Sequence, residues 1–357
     1  MTGNRVAVVL FNLGGPDRPS AIRPFLLNLF RDPAILRVPF FVRPLLARII
    51  TWARLKPARR NYALLGGKSP LLELTKAQAK ALEHALAGQI EAKCFIAMRY
   101  WRPFSEQTAR QVATWRPDEV VLLPLYPQYS TTTTGSSLSA WRDAAAKAGL
   151  VAPVTSICCY YADKGFLDAT AKRLKAAWTE ARAKLAPDIP LRLLFSAHGL
   201  PDFIVKAGDP YQFQIERMAD TLARALDIAA LDSVVCYQSR ATPQKWIGPS
   251  TEEEIARAGR DGVAVLVCPL AFVSEHSETL VELDVEYREL ARKRGVRGYF
   301  RAPTQNDDPD FIAALAQLVL RARQFGPGLC SSVGGRTCPS PYGDCPHAQS
   351  DPRERRS

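Results

Sequence analysis

Short apolar runs rich in Val, Leu and Phe recur along the chain and alternate with stretches of helical periodicity. The runs predict strands at 5–12, 93–98, 118–124, 153–158, 191–196, 232–237, 263–268 and 297–300. Between them, apolar positions three and four apart predict helices near 72–89, 104–115, 136–148, 164–185, 211–227, 251–259, 276–294 and 309–324. Strand and helix in alternation imply right-handed βαβ crossovers and parallel sheets. The pattern also repeats. Val8-Val-Leu-Phe-Asn-Leu-Gly-Gly-Pro16 is similar to Leu193-Leu-Phe-Ser-Ala-His-Gly-Leu-Pro201, and Val120-Val-Leu-Leu-Pro-Leu125 to Val265-Leu-Val-Cys-Pro-Leu270. Two α/β halves follow, each a small doubly wound domain on a four-stranded parallel sheet. We place the first at 1–185, completed by the helix at 309–324, the second at 186–308, and a tail at 325–357. A cleft fed by loops at strand carboxyl ends is the expected ligand site.

One of those loops carries the most chemistry. After the run at 263–270 comes Phe272-Val-Ser-Glu-His-Ser-Glu-Thr-Leu-Val-Glu-Leu-Asp284. On an α-helix, Glu275, Glu278, Glu282 and Glu286 would share one stripe with His276 beside it. Like charges at that spacing destabilise a bare helix, so a cationic or proton-consuming partner is expected to face them. A solvated acidic face is the ordinary alternative. The stripe's place at a strand's carboxyl end, where open α/β sheets hold ligands, favours a site.

Charge distribution adds a second feature. The chain of 357 residues has a formal net charge of +12. Residues 23–60 hold nine bases (Arg23, Arg31, Arg37, Arg43, Arg48, Arg54, Lys56, Arg59, Arg60) against one acid, Asp32. Phe25, Leu26, Leu27, Leu29, Phe30, Ile35, Leu36, Phe40, Phe41, Leu45, Leu46, Ile49 and Ile50 are interleaved with them. A basic apolar segment suits an anionic lipid surface, with a buried helical hairpin as the alternative. Nucleic acid is not expected: no recognition motif is present, and aliphatic residues outnumber the aromatics that stacking needs. No apolar run reaches the length of a membrane span. A strand pattern begins at Arg5, with no signal-peptide h-region, so we expect the cytoplasm, at the inner face of the membrane. There the eight cysteines would be thiols or metal ligands rather than disulfides.

Other candidates also sit at strand ends. His198, in Phe195-Ser-Ala-His-Gly-Leu-Pro201, ends the fifth strand; a neutral imidazole facing carboxylates accepts protons near neutral pH and can touch a divalent metal. A satisfied core histidine is the alternative. Arg99 and Tyr100 end the second strand. The hydroxyl-rich loop Tyr126-Pro-Gln-Tyr-Ser-Thr-Thr-Thr-Thr-Gly-Ser-Ser137, which includes Ser130, could bind carboxylates or phosphates or simply cap a helix. Trp246 could lie flat on a planar ligand. Gly14-Gly15 lacks the third glycine of a dinucleotide fingerprint, and no His-Glu-x-x-His occurs.

With these residues in view, the chain resembles the ferrochelatase family from about residue 5 to 325. The motifs that carry the resemblance are Asn12-Leu-Gly-Gly-Pro16, Ser196-Ala-His-Gly-Leu-Pro201, Asp209-Pro-Tyr211, Trp246-Ile-Gly-Pro249 and Ser274-Glu-His-Ser-Glu278. The resemblance implies a chelatase-like fold of two Rossmann-like domains, with ferrous iron inserted into protoporphyrin IX to form protohaem between them. It implies His198 and Glu278 as the catalytic pair, with Glu275 and Glu282 joining them in handling iron. Leu13, Arg99, Tyr100, Tyr126, Ser130, Trp246 and His276 would contact porphyrin, and residues 25–41 would form a membrane-facing lip. A homodimer is among the implied assemblies.

The tail carries Cys330, Cys338 and Cys345. Some members of the family hold a [2Fe–2S] cluster partly through such a tail, and the resemblance implies one here; the fourth ligand must come from the body, and Cys158, which ends the fourth strand, is the expected one. Idle thiols or a zinc site are alternatives. Rival functions are a non-catalytic porphyrin or haem carrier, a cluster-based sensor, or a chelatase for another metal and tetrapyrrole.

Overall fold

The computed structural model describes residues 5–240 and 244–348. From the N-terminus the elements run β1 (Arg5–Asn12), α1 (Ile22–Arg31), α2 (Arg43–Leu64), α3 (Leu71–Leu86), β2 (Glu91–Met98), α4 (Ser105–Trp115), β3 (Glu119–Pro124), α5 (Ser136–Lys147) and β4 (Val154–Ile157). They continue as α6 (Lys164–Ala183), β5 (Leu191–His198), α7 (Asp202–Lys206), α8 (Tyr211–Ala225), β6 (Ser233–Gln238), α9 (Thr251–Asp261) and β7 (Ala264–Pro269). A π-helix (Glu278–Tyr287) then runs into α10 (Arg288–Lys293), followed by β8 (Tyr299–Arg301), α11 (Pro309–Phe325) and β9 (Gly328–Cys330). The chain divides into two compact units, Met1–Cys159 with Leu315–Arg336 and Tyr160–Ala314 with Thr337–Ser357. Thus α6 packs with the second unit, and α11 passes from the second unit to the first.

In the first unit a parallel sheet runs in the order β2-β1-β3-β4-β9. Central β1 is apolar on both faces, as a strand covered on both sides must be, and all but its first residue are buried. Val9 and Phe11 pack with Phe95, Val112, Leu122 and Trp141. The fifth strand, β9, joins β4 through Ile157 and Cys330. At three residues in a Gly-Pro-Gly context it is too short to leave a periodic signal. The basic apolar insertion forms α1 and α2. Ile22, Phe25, Leu26 and Phe30 recur at helical spacing and pack against Ala47, Tyr62, Tyr100 and Trp101.

The second unit repeats the same strand order as β6-β5-β7-β8. Its core joins Leu194, Val265 and Val267 to Ile255, Leu283 and Tyr287. In that order the chain leaves β5 toward one side and β7 toward the other, so loops after these two strands flank a topological switch point. The segment expected as one α-helix at 276–294 is instead π-helical over Glu278–Tyr287. Its i→i+5 turns are wider than α-helical ones. The four glutamates therefore do not share one stripe: Glu275 precedes the helix and Glu286 is exposed.

α9 packs tightly against the end of α10. A Cβ on Gly259 would come within 2.0 Å of the Arg294 carbonyl oxygen, a backbone atom that cannot step aside alone. We expect Gly259→Ala to cost about 1–3 kcal/mol as overpacking, read as a lower denaturant midpoint with unchanged slope.

Candidate active site

In the second unit, β5 carries His198 to the rim and the loop after β7 brings in Glu278. His198 Nδ1 lies 3.0 Å from Glu278 Oε2. An ionised carboxylate can only accept, so Nδ1 carries the proton and Nε2 is left as the basic nitrogen. Tyr211 Oη donates to the His198 carbonyl oxygen at 3.0 Å and fixes the strand end. The next residue must be glycine: a Cβ on Gly199 would lie 2.9 Å from the Gln238 carbonyl oxygen and 3.3 Å from the Trp246 ring. That close approach lets Trp246 sit beside the histidine turn, where Ile247 N donates to Leu200 O at 3.0 Å.

Each carboxylate meets a different environment. Glu282 accepts from Ser239 N at 2.9 Å, Tyr287 Oη at 3.1 Å, Gln238 Nε2 at 3.1 Å and the Ser239 hydroxyl. Glu275 is held by Arg301 Nη1 at 2.9 Å and Thr304 N at 3.0 Å, while Arg301 also grips Asp284 at 2.7 Å. His276 is buried edge-on against Phe272, with ring centroids 4.4 Å apart. Its Nδ1 accepts from Glu278 N at 3.2 Å, which leaves the buried Nε2 as an orphan.

The electrostatics follow from these contacts. Burial would raise Glu278, but the adjacent His198 charge outweighs it and holds the carboxyl down at about 2. Burial pulls His198 down, and Glu278 more than reverses this, so its pKa lies above the ordinary histidine value. The side chains of His198 and Glu278 are 38% and 30% exposed, so water softens this coupling. Glu282 is raised to about 7 by burial and then by repulsion from Glu278, although its four donors favour the ionised form. Burial lowers His276, keeping it neutral. Burial opposes ionisation of Glu275, and Arg301 overcomes it, so that pKa is lowered.

In the first unit, Leu13 packs between the sheet core and the α1–α2 cluster. Tyr126 and Ser130 are buried, and Ser130 Oγ accepts from Thr132 N at 3.1 Å, capping the turn before α5. Arg99 and Tyr100 meet a residue that the sequence reading did not single out as a site. Asp32 Oδ2 lies 2.8 Å from Arg99 Nη2 and 2.8 Å from Tyr100 Oη. Ser239, Gln238, Tyr287, Tyr211 and Arg301 were missed too. Two of them left a signal: Asp32, as the one acid among nine bases in 23–60, and Tyr211, within the motif Asp209-Pro-Tyr211.

The lip segment is divided by its own helix faces. Beside the buried side of α1–α2, Phe40, Phe41 and Trp52 are 79%, 71% and 81% exposed, and Leu45 and Ile49 are exposed as well. The buried-hairpin alternative therefore accounts for only part of the segment. Among the described residues, no helix is long and apolar enough to cross a membrane.

The cluster expected on Cys158, Cys330, Cys338 and Cys345 is not shown. None of the eight forms a disulfide. Cys158 and Cys330 lie in the first unit, where Cys158 N donates to Cys330 O at 2.8 Å. Cys338 and Cys345 lie in the second, clustered with Ala348 and Tyr342, and Gln214 Nε2 donates to Cys338 Sγ at 3.1 Å. Among the described residues no group of three or more His, Cys, Asp or Glu side chains is gathered to hold a metal ion.

Two parallel sheets of matching strand order, with an imidazole–carboxylate pair at the switch point of one, define a chelatase-type α/β protein. Solved chelatase structures share the fold. The sirohydrochlorin chelatase SirB from Bacillus subtilis subspecies spizizenii, in complex with cobalt, aligns with TM-score 0.51 and 11% identity over 90% of this chain and 94% of that one. SirB from Bacillus subtilis with Fe3+ aligns with TM-score 0.50 and 12% identity over 89% and 95%. The sequence profile of the ferrochelatase family matches residues 5–323, and the chain belongs to that family. A ferrochelatase of Caulobacter vibrioides is 51% identical over 96% of this chain and 97% of its own length. One of Hyphomonas neptunium is 51% identical over 97% and 96%. The reaction class is metal insertion into a tetrapyrrole.

Glu278→Gln removes the charge that raises His198 and repels Glu282. Both pKa values should move down, His198 toward the value burial alone imposes. An NMR titration of the imidazole checks this; an unmoved His198 midpoint contradicts the assignment.

Proposed function

We propose that this protein inserts ferrous iron into protoporphyrin IX, releasing two pyrrole protons to its own side chains. The observation that carries the reading is the His198–Glu278 pair at 3.0 Å, whose polarity leaves Nε2 as the acceptor. As pH falls through the raised His198 pKa, the imidazole becomes cationic and cannot take a pyrrole proton, so the rate should fall there. Glu282, at about 7, exchanges protons near neutrality and feels the charges of both Glu278 and His198, which makes it the next group to take those protons. Glu275, tied to Arg301, serves iron through its charge.

Iron here is a substrate in transit. A site that must release its ion benefits from imidazole and carboxylate oxygen rather than a closed set of thiolates. Leu13, Arg99, Tyr100, Tyr126, Ser130, Trp246 and His276 are assigned to the porphyrin. A carrier that only bound porphyrin would have no use for an oriented imidazole beside a proton-labile carboxylate.

The exposed apolar side chains Phe40, Phe41, Leu45, Ile49 and Trp52, flanked by exposed Arg48, Lys56, Arg59 and Arg60, support contact with an anionic membrane face. An apolar porphyrin partitions into that same layer.

Anaerobic Fe²⁺ insertion assays with protoporphyrin and coproporphyrin test the reading. His198→Ala should lower kcat by about 10²–10⁴-fold, the usual loss of a general base, with porphyrin affinity changed far less. Retention of most of the kcat would sink the assignment. Phe40→Glu with Phe41→Glu should weaken binding to phosphatidylserine-containing vesicles while soluble-substrate turnover persists; unchanged sedimentation with vesicles would refute the membrane role.

A further inference from the structure

In the first unit, one buried carboxylate ties three separate segments together. Asp32 caps the C-terminus of α1 and its side chain is only 2% exposed. Oδ1 accepts from Ala34 N at 2.9 Å. Oδ2 accepts from Tyr100 Oη at 2.8 Å, from Ser136 Oγ at 2.5 Å and from Arg99 Nη2 at 2.8 Å. Ser136 Oγ in turn accepts from Arg99 Nε at 2.6 Å. A carboxylate this buried is costly unless it is paired and hydrogen-bonded, so the cluster forms as a whole or not at all. Asn28 Nδ2, one turn earlier on α1, adds a bond to the Tyr100 carbonyl oxygen at 3.1 Å.

The consequence falls on Arg99. Two of its three nitrogens are engaged, Nε by Ser136 and Nη2 by Asp32, so the planar guanidinium is fixed in orientation while both N–H groups of Nη1 and the second of Nη2 are left for a further acceptor. Freed from Asp32, a long flexible cation would have to be ordered again each time an anionic substrate bound.

We propose that Asp32 is a positioning residue: by clamping Arg99 and Tyr100 to the root of the lip, it presets Arg99 to receive a porphyrin carboxylate through its remaining N–H groups. This rests on the porphyrin reading given above. Asp32 acts through Arg99 and touches no substrate itself. The apolar tip of the lip stays exposed while its root is fixed, which keeps the guanidinium in register with the segment that admits an apolar ring.

The test compares wild type, Asp32→Asn and Tyr100→Phe, with folding checked by circular dichroism and melting. Porphyrin affinity is read by fluorescence without metal, and kinetics by anaerobic Fe²⁺ insertion. For a porphyrin diacid, Asp32→Asn should raise Kd and KM about tenfold, the loss of one charge-assisted bond, with kcat nearly unchanged. The dimethyl ester of the same porphyrin should bind both proteins alike, since it offers no carboxylate; a merely structural defect would weaken both ligands equally. Tyr100→Phe, which keeps the charge pair, should give a smaller rise for the diacid and decides the matter if Asp32→Asn fails to fold. Unchanged diacid affinity in a folded variant, tighter binding, or an equal loss for the ester overturns the role of Asp32. If the wild type binds no porphyrin, the functional reading falls with it; if the wild type binds and inserts while the variants match it, only Asp32's role falls.

Discussion

The candidate site depends on one ion pair, that between His198 and Glu278. Both groups are partly withdrawn from water, and desolvation alone would neutralise each of them. Mutual attraction reverses that tendency, holding Glu278 ionised and raising His198. Everything around the pair responds to this charge. Glu282 cannot ionise freely beside Glu278 and rises to about 7. His276 is raised by its acidic neighbours, yet burial outweighs them and keeps it neutral. Glu275 escapes the pattern only because Arg301 supplies a counter-charge of its own. Three glutamates within eight residues thus acquire three different acidities, and the difference comes from their partners rather than from their spacing.

The fold sets up that pair through topology that the sequence displays openly. Apolar runs covered on both faces are long and continuous in a parallel sheet, which is why strands such as β1, β5 and β7 stand out from their surroundings. The internal repeat between the β1 and β5 segments, and between β3 and β7, reflects the matching order β2-β1-β3-β4 and β6-β5-β7-β8. Once that order is known, the switch point lies after β5 and β7, where His198 and the acidic segment are found. Chemistry at strand ends is legible because the strands are.

What was not legible depends on contacts between distant residues. The π-helix arises from packing of Val281, Leu283 and Tyr287 into the core, and a residue pattern read with a 3.6 period could not distinguish it from an α-helix. β9 is a strand only because β4 offers an open edge. Arg301, Ser239 and Gln238 lie on other elements than the glutamates they hold, so nothing in local spacing marks them. Asp32 differs from these. An isolated acid in a strongly basic apolar stretch is out of place by composition, and its buried, fully hydrogen-bonded position gives it a structural reason. The cysteine tail differs again: a run of thiols reads as a ligand set, and among the described residues no gathered metal-binding group is shown.

The two units therefore solve different electrostatic problems with similar scaffolds. In the second, the loops after β5 and β7 set an imidazole against carboxylates of graded acidity, and the outcome is a group that changes protonation near neutral pH. In the first, the end of β2 and the start of α5 set a guanidinium against a single carboxylate whose two oxygens are both hydrogen-bonded, so what the contacts fix is the orientation of the charge. Proton transfer needs lability, and anion recognition needs preorganisation. A duplicated α/β frame can supply both because its strand-end loops carry the chemistry while the sheet beneath them stays the same. Exchanging the roles would defeat each: a labile group lets an anion go as pH changes, and a guanidinium offers no basic nitrogen to a proton.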